Sequence, residues 1–195
     1  MSNIVQKCIH NPVEKVLILS FKQCDPTKFN IKSIEKIIQR AVTLSGSKIV
    51  ASINMPFYSG TERPGLSLVH ILSESHSGVH TSPEHHNYFS IHISTCGNKA
   101  HPFRAVGYLV REFNPSAGDI RYLKVGMDLG GSYHPKSLKS LVQRYHKQLN
   151  KGSYDFFCRE LEPGNYRISF LDKSRVKKSR IGKVFGINFE EYVAL

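Results

Sequence analysis

The alternation of apolar and polar positions predicts a small sheet with two helices in the first two thirds of the chain. Short apolar runs bounded by turn residues are typical of strands. Such runs cover residues 14–21, 48–54, 66–73, 79–81, 88–95 and 119–125. Apolar residues three and four apart predict helices over residues 31–42 and 103–113, the first capped by Asn30 and the second opened by Pro102. The order β-α-β-β-β-β-α-β predicts an α/β (α+β) two-layer sandwich, in which a mostly antiparallel sheet carries helices on one face.

The pattern changes after residue 126. Gly130-Gly131 and His134-Pro135 are typical of a linker. The pattern then predicts a helix over residues 138–149 and a strand over residues 166–171, without a motif that indicates chemistry. We therefore predict one domain over residues 1–128 and a basic C-terminal extension over residues 129–195, to which the sequence assigns no role.

Composition and charge narrow the class of protein. A chain of 195 residues with 40% hydrophobic and 10% aromatic residues can bury a core and is not expected to be disordered. The formal net charge of +12 is uneven: residues 1–131 hold 14 Lys and Arg against 9 Asp and Glu, whereas residues 132–195 hold 13 against 6. A basic tail is more often a solvated surface than a specific site, so nucleic acid is not expected as the main partner.

The sequence predicts neither a membrane segment nor a metal site. No apolar run approaches the ~20 residues that span a bilayer, and the N-terminus lacks a signal-peptide pattern, which predicts a soluble, cytoplasmic protein. His76 and His80 are four residues apart, but they fall in predicted strand and loop without a zinc-site pattern. The cysteines have no C-x-x-C pair and are expected to be reduced thiols; they are Cys8, Cys24, Cys96 and Cys158.

A compact set of reactive residues begins where the third predicted strand ends. It comprises a Ser-Glu-Ser-His run at residues 73–76, a His-Thr-x-Pro-Glu run at residues 80–84, and Cys96 within Thr-Cys-Gly. Taken singly, Ser75 suits a turn, Cys96 a buried strand end and Glu84 a surface turn. Together the three runs resemble the cleavage region of the S-adenosylmethionine decarboxylase family, in its small prokaryotic, pyruvoyl-dependent form. The resemblance covers about residues 13–126.

This resemblance implies a proenzyme that cuts its own chain between Glu74 and Ser75. The Ser75 hydroxyl would attack the Glu74 carbonyl carbon to form an ester, and loss of the Ser75 α-proton would lead to a pyruvoyl group at a new N-terminus. That group forms a Schiff base with the substrate amine and accepts electrons as CO2 leaves. The family's roles make His80 the processing base, Ser67 the processing hydroxyl and Cys96 the proton donor, while Glu74 becomes a C-terminus that lines the pocket.

The same resemblance implies where the substrate binds. Glu84 would accept hydrogen bonds from the ribose hydroxyls. The family's adenine-stacking phenylalanine falls at Thr61 here, in a loop a few residues longer, and Phe57 or Tyr58 are the aromatic candidates for its role. Ser82 stands where many members have an aromatic residue between Thr and Pro.

The activity implied by the resemblance is conversion of S-adenosylmethionine to its decarboxylated form, the aminopropyl donor for spermidine biosynthesis. Two alternatives stay open. One is a related decarboxylase of a basic amino acid such as ornithine or arginine. The other is an uncleaved, non-catalytic homologue that serves as a binding or regulatory protein. Small members pair as dimers with active sites at the subunit boundary, so the expected partners are a small-molecule substrate and a second copy, in a homodimer of cleaved protomers.

Overall fold

The structure is a computed structural model that describes residues 14–57, 64–97, 100–125, 154–162, 165–172, 174–175 and 193–194. The helices within these ranges are α1 (Ile31–Leu44) and α2 (Val106–Phe113), and a 3-10 turn at Pro102–Ala105 leads into α2. The strands are β1 (Glu14–Lys22), β2 (Ile49–Phe57), β3 (Gly65–Leu72), β4 (His76–Ser82), β5 (Tyr88–Thr95), β6 (Ala117–Val125), β7 (Tyr154–Glu162), β8 (Asn165–Asp172) and β9 (Val193–Ala194).

These strands form a single sheet in the order β2-β3-β4-β5-β1-β6-β8-β7-β9. Every pairing between neighbouring strands is antiparallel. One face of the sheet is buried against both helices, as the burial of Leu19 and Leu68 from the strands and of Ile38 and Leu109 from the helices indicates. The predicted two-layer sandwich, with helices on one face of an antiparallel sheet, is confirmed.

Local sequence signals set the helix boundaries. The backbone N–H of Ser33 donates to Asn30 Oδ1 at 2.9 Å, so Asn30 caps α1 as predicted. Pro102 begins the 3-10 turn, and the α-helix itself starts four residues later. Asn114, with a left-handed φ of 42°, ends α2.

The strands around the reactive set agree with the sequence pattern except at one point. β5 has the predicted bounds, but the strand predicted over residues 79–81 begins earlier, at His76. Because Ile71 pairs with His76, β3 and β4 form a hairpin whose loop is residues 73–75. The Glu74–Ser75 bond therefore lies in a tight hairpin loop.

Part of the C-terminal extension belongs to the same sheet. β8 pairs with β6, β7 pairs with β8, and Ile168 and Phe170 are buried in the core. The sequence pattern predicts a strand at β8 but none at β7. The helical stripe predicted over residues 138–149 lies outside the described residues, and the domain boundary at residue 128 stays a prediction.

The face of the sheet opposite the helices bears the reactive residues. We call it the open face and define it by one register row across β2, β3, β4, β5 and β1, namely Met55, Ser67, His80, Ser90 and Ser20. At its β2–β3 end, large apolar side chains are 49% to 69% exposed; they are Ile53, Met55, Val69 and Ile71. Exposed apolar side chains grouped in this way are typical of an interaction surface.

Candidate active site

The predicted cleavage junction lies at the turn of the β3–β4 hairpin. The backbone N–H of Leu72 donates to the Ser75 carbonyl at 2.8 Å, which closes the loop. Ser73 Oγ donates to Glu74 Oε2 at 2.6 Å and accepts from the backbone N–H of Lys48 at 3.1 Å. These bonds fix the residues on both sides of the Glu74–Ser75 peptide.

The Ser75 hydroxyl contacts two side chains that could direct its proton. Its oxygen lies 3.3 Å from Glu14 Oε1 and 3.2 Å from His76 Nδ1. The Ser94 hydroxyl donates to the same Glu14 oxygen, so one carboxylate joins the hairpin loop to the end of β5. The sequence pattern gives Glu14 no role, because residues 14 and 75 are 61 positions apart and meet only through the pairing of β1 with β5.

Cys96 follows β5 directly and lies near the cleavage junction. Burial raises the pKa of its thiol, the carboxylates of Glu14 and Glu74 raise it further, and the Lys15 ammonium opposes them. The thiol is therefore protonated at neutral pH, as a proton donor requires. Cys24 is also a free thiol, and burial raises its pKa strongly.

Lys15 holds the chain that follows Cys96. Its Nζ donates to the Gly97 carbonyl at 2.6 Å and to the Ala100 carbonyl at 3.0 Å. Lys15 is only 7% exposed, and desolvation lowers its pKa. A buried ammonium bound to two carbonyls anchors this segment to β1 and so positions the thiol.

Ser67 and His80 form a second group, separate from Ser75. They are paired across β3 and β4, and Ser67 Oγ lies 2.9 Å from His80 Nδ1 on the open face. Four residues of β4 separate His80 from His76, which at about 3.3 Å per residue is about 13 Å. Within one chain, the structure therefore does not bring the predicted processing pair to Ser75.

Two histidines, His76 and His92, lie next to the cleavage junction. The rings of His76 and His92 meet edge to face, with centroids 5.0 Å apart. Burial lowers the pKa of His92, the neighbouring His76 lowers it further, and Glu14 opposes both. His92 is therefore neutral at pH 7, while His76 is exposed to solvent.

Of the predicted substrate-binding residues, Glu84 lies away from the cleavage junction. Glu84 is in the turn after β4, at the opposite end of the hairpin from Ser75, and its Oε1 lies 3.9 Å from His85 Nε2. The backbone of Phe57 ends β2, and Tyr58 lies outside the described residues. In the part of the chain that the structure describes, no group of three or more His, Cys, Asp or Glu side chains is placed to hold a metal ion. No helix there has both the length and the hydropathy to cross a bilayer.

Comparisons with known proteins agree on one family. The family profile described as S-adenosylmethionine decarboxylase matches residues 15–126. A protein named S-adenosylmethionine decarboxylase proenzyme from Oceanobacillus iheyensis is 34% identical over 112 residues, 57% of this chain and 85% of the relative. One of the same name from Thermococcus kodakarensis is 33% identical over 106 residues, 54% of this chain and 71% of the relative.

A solved structure supports the fold. The crystal structure of the adenosylmethionine decarboxylase from Aquifex aeolicus superposes with a TM-score of 0.53 at 21% identity, covering 64% of this chain and all of that one. The matches and the shared sandwich define an enzyme of the carboxy-lyase class, which removes a carboxylate as CO2. More narrowly, the chain belongs to the S-adenosylmethionine decarboxylase family, whose members depend on a pyruvoyl group. The resemblance expected from the three sequence runs is confirmed.

Proposed function

We propose that this protein is a self-processing, pyruvoyl-dependent decarboxylase that converts S-adenosylmethionine to the aminopropyl donor for spermidine biosynthesis. The observation that carries the proposal is the placement of Ser75. It lies in a tight hairpin loop with its hydroxyl near Glu14 and His76, and a protonated thiol at Cys96 lies near the same carboxylate. The free thiols of Cys24 and Cys96 fit a reducing compartment such as the cytoplasm.

The local residues suit the formation of the group that the family uses. Attack of Ser75 Oγ on the Glu74 carbonyl carbon converts the amide to an ester, and loss of the Ser75 α-proton then releases Glu74 as a new C-terminus. One water molecule hydrolyses the dehydroalanine that remains, which releases the former Ser75 nitrogen as ammonia and leaves a pyruvoyl group at the new N-terminus. When formed, this group supplies an electron sink for decarboxylation. Cys96 then has the proton that the former α-carbon needs.

We further propose that the working form is a homodimer in which each copy completes the other's site. His80 is exposed on the open face and about 13 Å along β4 from His76, too far to reach Ser75 in its own chain. In such a dimer the two open faces would pack against each other, related by a two-fold axis perpendicular to the strands. The two copies of β4 would then run in opposite directions, so the His80 end of one would lie over the Ser75 end of the other. The exposed apolar patch of Ile53, Met55, Val69 and Ile71 lies on the same face and would be covered.

Intact-mass measurement of the purified protein tests the main proposal. Two fragments are expected, with the junction between Glu74 and Ser75 and a keto group at the new N-terminus that reacts with hydride reagents. The variant Ser75→Ala should stay a single chain. A wild-type protein that remains uncut would overturn the proposal and favour the non-catalytic homologue. Assays of the cut protein with carboxyl-labelled S-adenosylmethionine, ornithine and arginine then identify the substrate, since release of labelled CO2 is expected from the first only.

A further inference from the structure

We propose that His76 is a catalytic residue of self-cleavage, the base that takes the hydroxyl proton of Ser75. The inference rests on the proposed self-cleavage and adds to it, since neither the motif roles nor the sequence pattern gives His76 any chemistry. His76 Nδ1 lies 3.2 Å from Ser75 Oγ, within hydrogen-bond reach of the atom that must become the nucleophile. His76 begins β4, so its backbone is fixed by the pairing with Ile71.

A base is required at this oxygen because a neutral hydroxyl is a weak nucleophile. Among the residues that the structure describes, two groups touch the hydroxyl, the His76 imidazole and the Glu14 carboxylate. An imidazole is intrinsically the stronger base of the two. The Glu14 oxygen in question also accepts the Ser94 hydroxyl, which spreads its negative charge over two donors. Proton removal therefore falls to His76.

Glu14 and His92 support the base from two sides. The Glu14 carboxylate lies next to the same hydroxyl, so it can stabilise the positive charge that develops on the His76 imidazole when the imidazole takes the proton. The His92 ring meets the His76 ring edge to face at 5.0 Å, so it limits the rotation of the His76 side chain. His92 is a positioning residue, because it acts on Ser75 only through His76.

Ester formation moves one proton from the Ser75 oxygen to the Ser75 nitrogen by way of His76. The proton of Ser75 Oγ passes to His76 Nδ1 as the oxygen bonds to the Glu74 carbonyl carbon, which gives a tetrahedral intermediate. The imidazolium returns that proton to the Ser75 nitrogen as the carbon–nitrogen bond breaks. The product is an ester between the Glu74 acyl group and the Ser75 oxygen, with a free amine on Ser75. His76 ends neutral, and no external reactant is consumed.

This assignment divides the reaction between two histidines. Self-cleavage removes two protons from Ser75, the hydroxyl proton in ester formation and the α-proton in ester elimination. His76 is placed for the first proton by the fold of its own chain. In the proposed dimer, His80 of the second copy serves the second proton.

The test follows cleavage of newly synthesised full-length chain in a cell-free system, sampled over time on denaturing gels. His76→Ala is expected to cleave about 100-fold more slowly than wild type, the lower end of what general-base removal costs. His76 serves the first proton within its own chain and is exposed there, so imidazole added to newly made chain should enter the vacated space and restore much of the rate. The matched control is His85→Ala, an exposed histidine at the far end of the same hairpin, which should cleave at the wild-type rate.

Hydroxylamine distinguishes the step that is blocked, because it cleaves esters and leaves amides intact. Uncut His76→Ala should resist hydroxylamine, whereas uncut His80→Ala should be cut by it at the junction. Cleavage of His76→Ala at the wild-type rate, a hydroxylamine-sensitive ester in it, or no acceleration by imidazole in a folded sample would each overturn the assignment. Folding is judged by thermal unfolding against Ser75→Ala, and His76→Gln replaces the variant if His76→Ala unfolds. A wild-type chain that never cleaves would instead overturn the proposed function itself.

Discussion

Ser67 Oγ and His80 Nδ1 lie 2.9 Å apart on paired strands, and the exposed imidazole faces away from the helices. A histidine held by a serine in this way is oriented for proton transfer. The cleavage junction of the same chain lies at the other end of β4. This separation leads to a sharp test of the proposed dimer.

Co-expression of Ser75→Ala with His80→Ala is expected to restore cleavage. In a mixed dimer, the His80→Ala chain keeps its own Ser75 and receives an intact His80 from the other copy. The intact-mass spectrum should therefore contain cut chains that carry the His80→Ala change, whereas His80→Ala alone stays uncut. Co-expression of His80→Ala with the double variant Ser75→Ala/His80→Ala is the matched control and should give no cut chain. A mixed dimer in which all chains stay whole would contradict the shared site.

Cys96→Ala is expected to cleave itself but to complete few turnovers. Without the thiol, the carbon left by CO2 loss lacks its proton donor and protonation at the wrong atom inactivates the enzyme. The measurement is the number of products formed per chain before activity is lost. Cys24→Ala, which removes the other described free thiol, should not lower that number.

The protonation of Cys96 makes a separate prediction about pH. Since burial and two carboxylates raise its pKa above the ordinary 9.0, the thiol keeps its proton to a higher pH than a free cysteine does. Alkylation of Cys96 by iodoacetamide should therefore be slower at pH 8.5 than that of a cysteine-containing peptide measured beside it. Alkylation as fast as that of the peptide would argue against a thiol that donates a proton.

Gly78→Val is expected to separate folding from processing. A Cβ atom at Gly78 would meet no atom within 4 Å, and valine suits a strand, so the monomer should be at least as stable as wild type in denaturant unfolding. The new methyl groups would stand on the open face beside His92, between His76 and His80. We expect cleavage at least 10-fold slower, because the second copy could no longer approach. Ser52→Val, at an exposed position of β2, should cleave normally.

The partly buried imidazole of His101 predicts a loss of stability in acid. Burial, with the charges of Lys15 and Arg104, lowers its pKa to about 4, and its ring stacks on Tyr122 at 5.5 Å. The unfolded chain therefore binds a proton between pH 6.5 and 4 that the folded chain does not, and the free energy of unfolding falls as pH falls through that window. His101→Gln should reduce this fall by on the order of 1 kcal/mol between pH 7 and 5, measured by urea unfolding at both values.

Periodicity predicts the core of this fold well and its periphery less well. In β5, Phe89 and Ile91 alternate with polar residues, and the strand has the predicted bounds. β7 contains three consecutive residues of the apolar type among charged ones, so its sequence does not indicate a strand. β7 is a strand because it pairs with β8, and this tertiary contact cannot be recognised from a short stretch of sequence.

The sequence motifs predict the reacting residues but not the side chains that contact them. Ser75 and Cys96 stand out because the runs around them are distinctive. Glu14 does not, because its contact with Ser75 joins residues 61 apart in sequence. For His80 the sequence misleads in the other direction. Its position five residues after Ser75 suggests that the two side chains are neighbours, but an extended strand moves each further residue about 3.3 Å away.

The strands beyond β6 have a consequence for the stability of the chain in solution. Backbone amides of β6 that would otherwise point outward are bonded to β8, which is itself flanked by β7. A chain shortened after residue 125 would present a bare strand margin nine residues long, able to recruit strands from other molecules. The truncated chain is therefore expected to aggregate more as its concentration rises, even if it still cleaves itself.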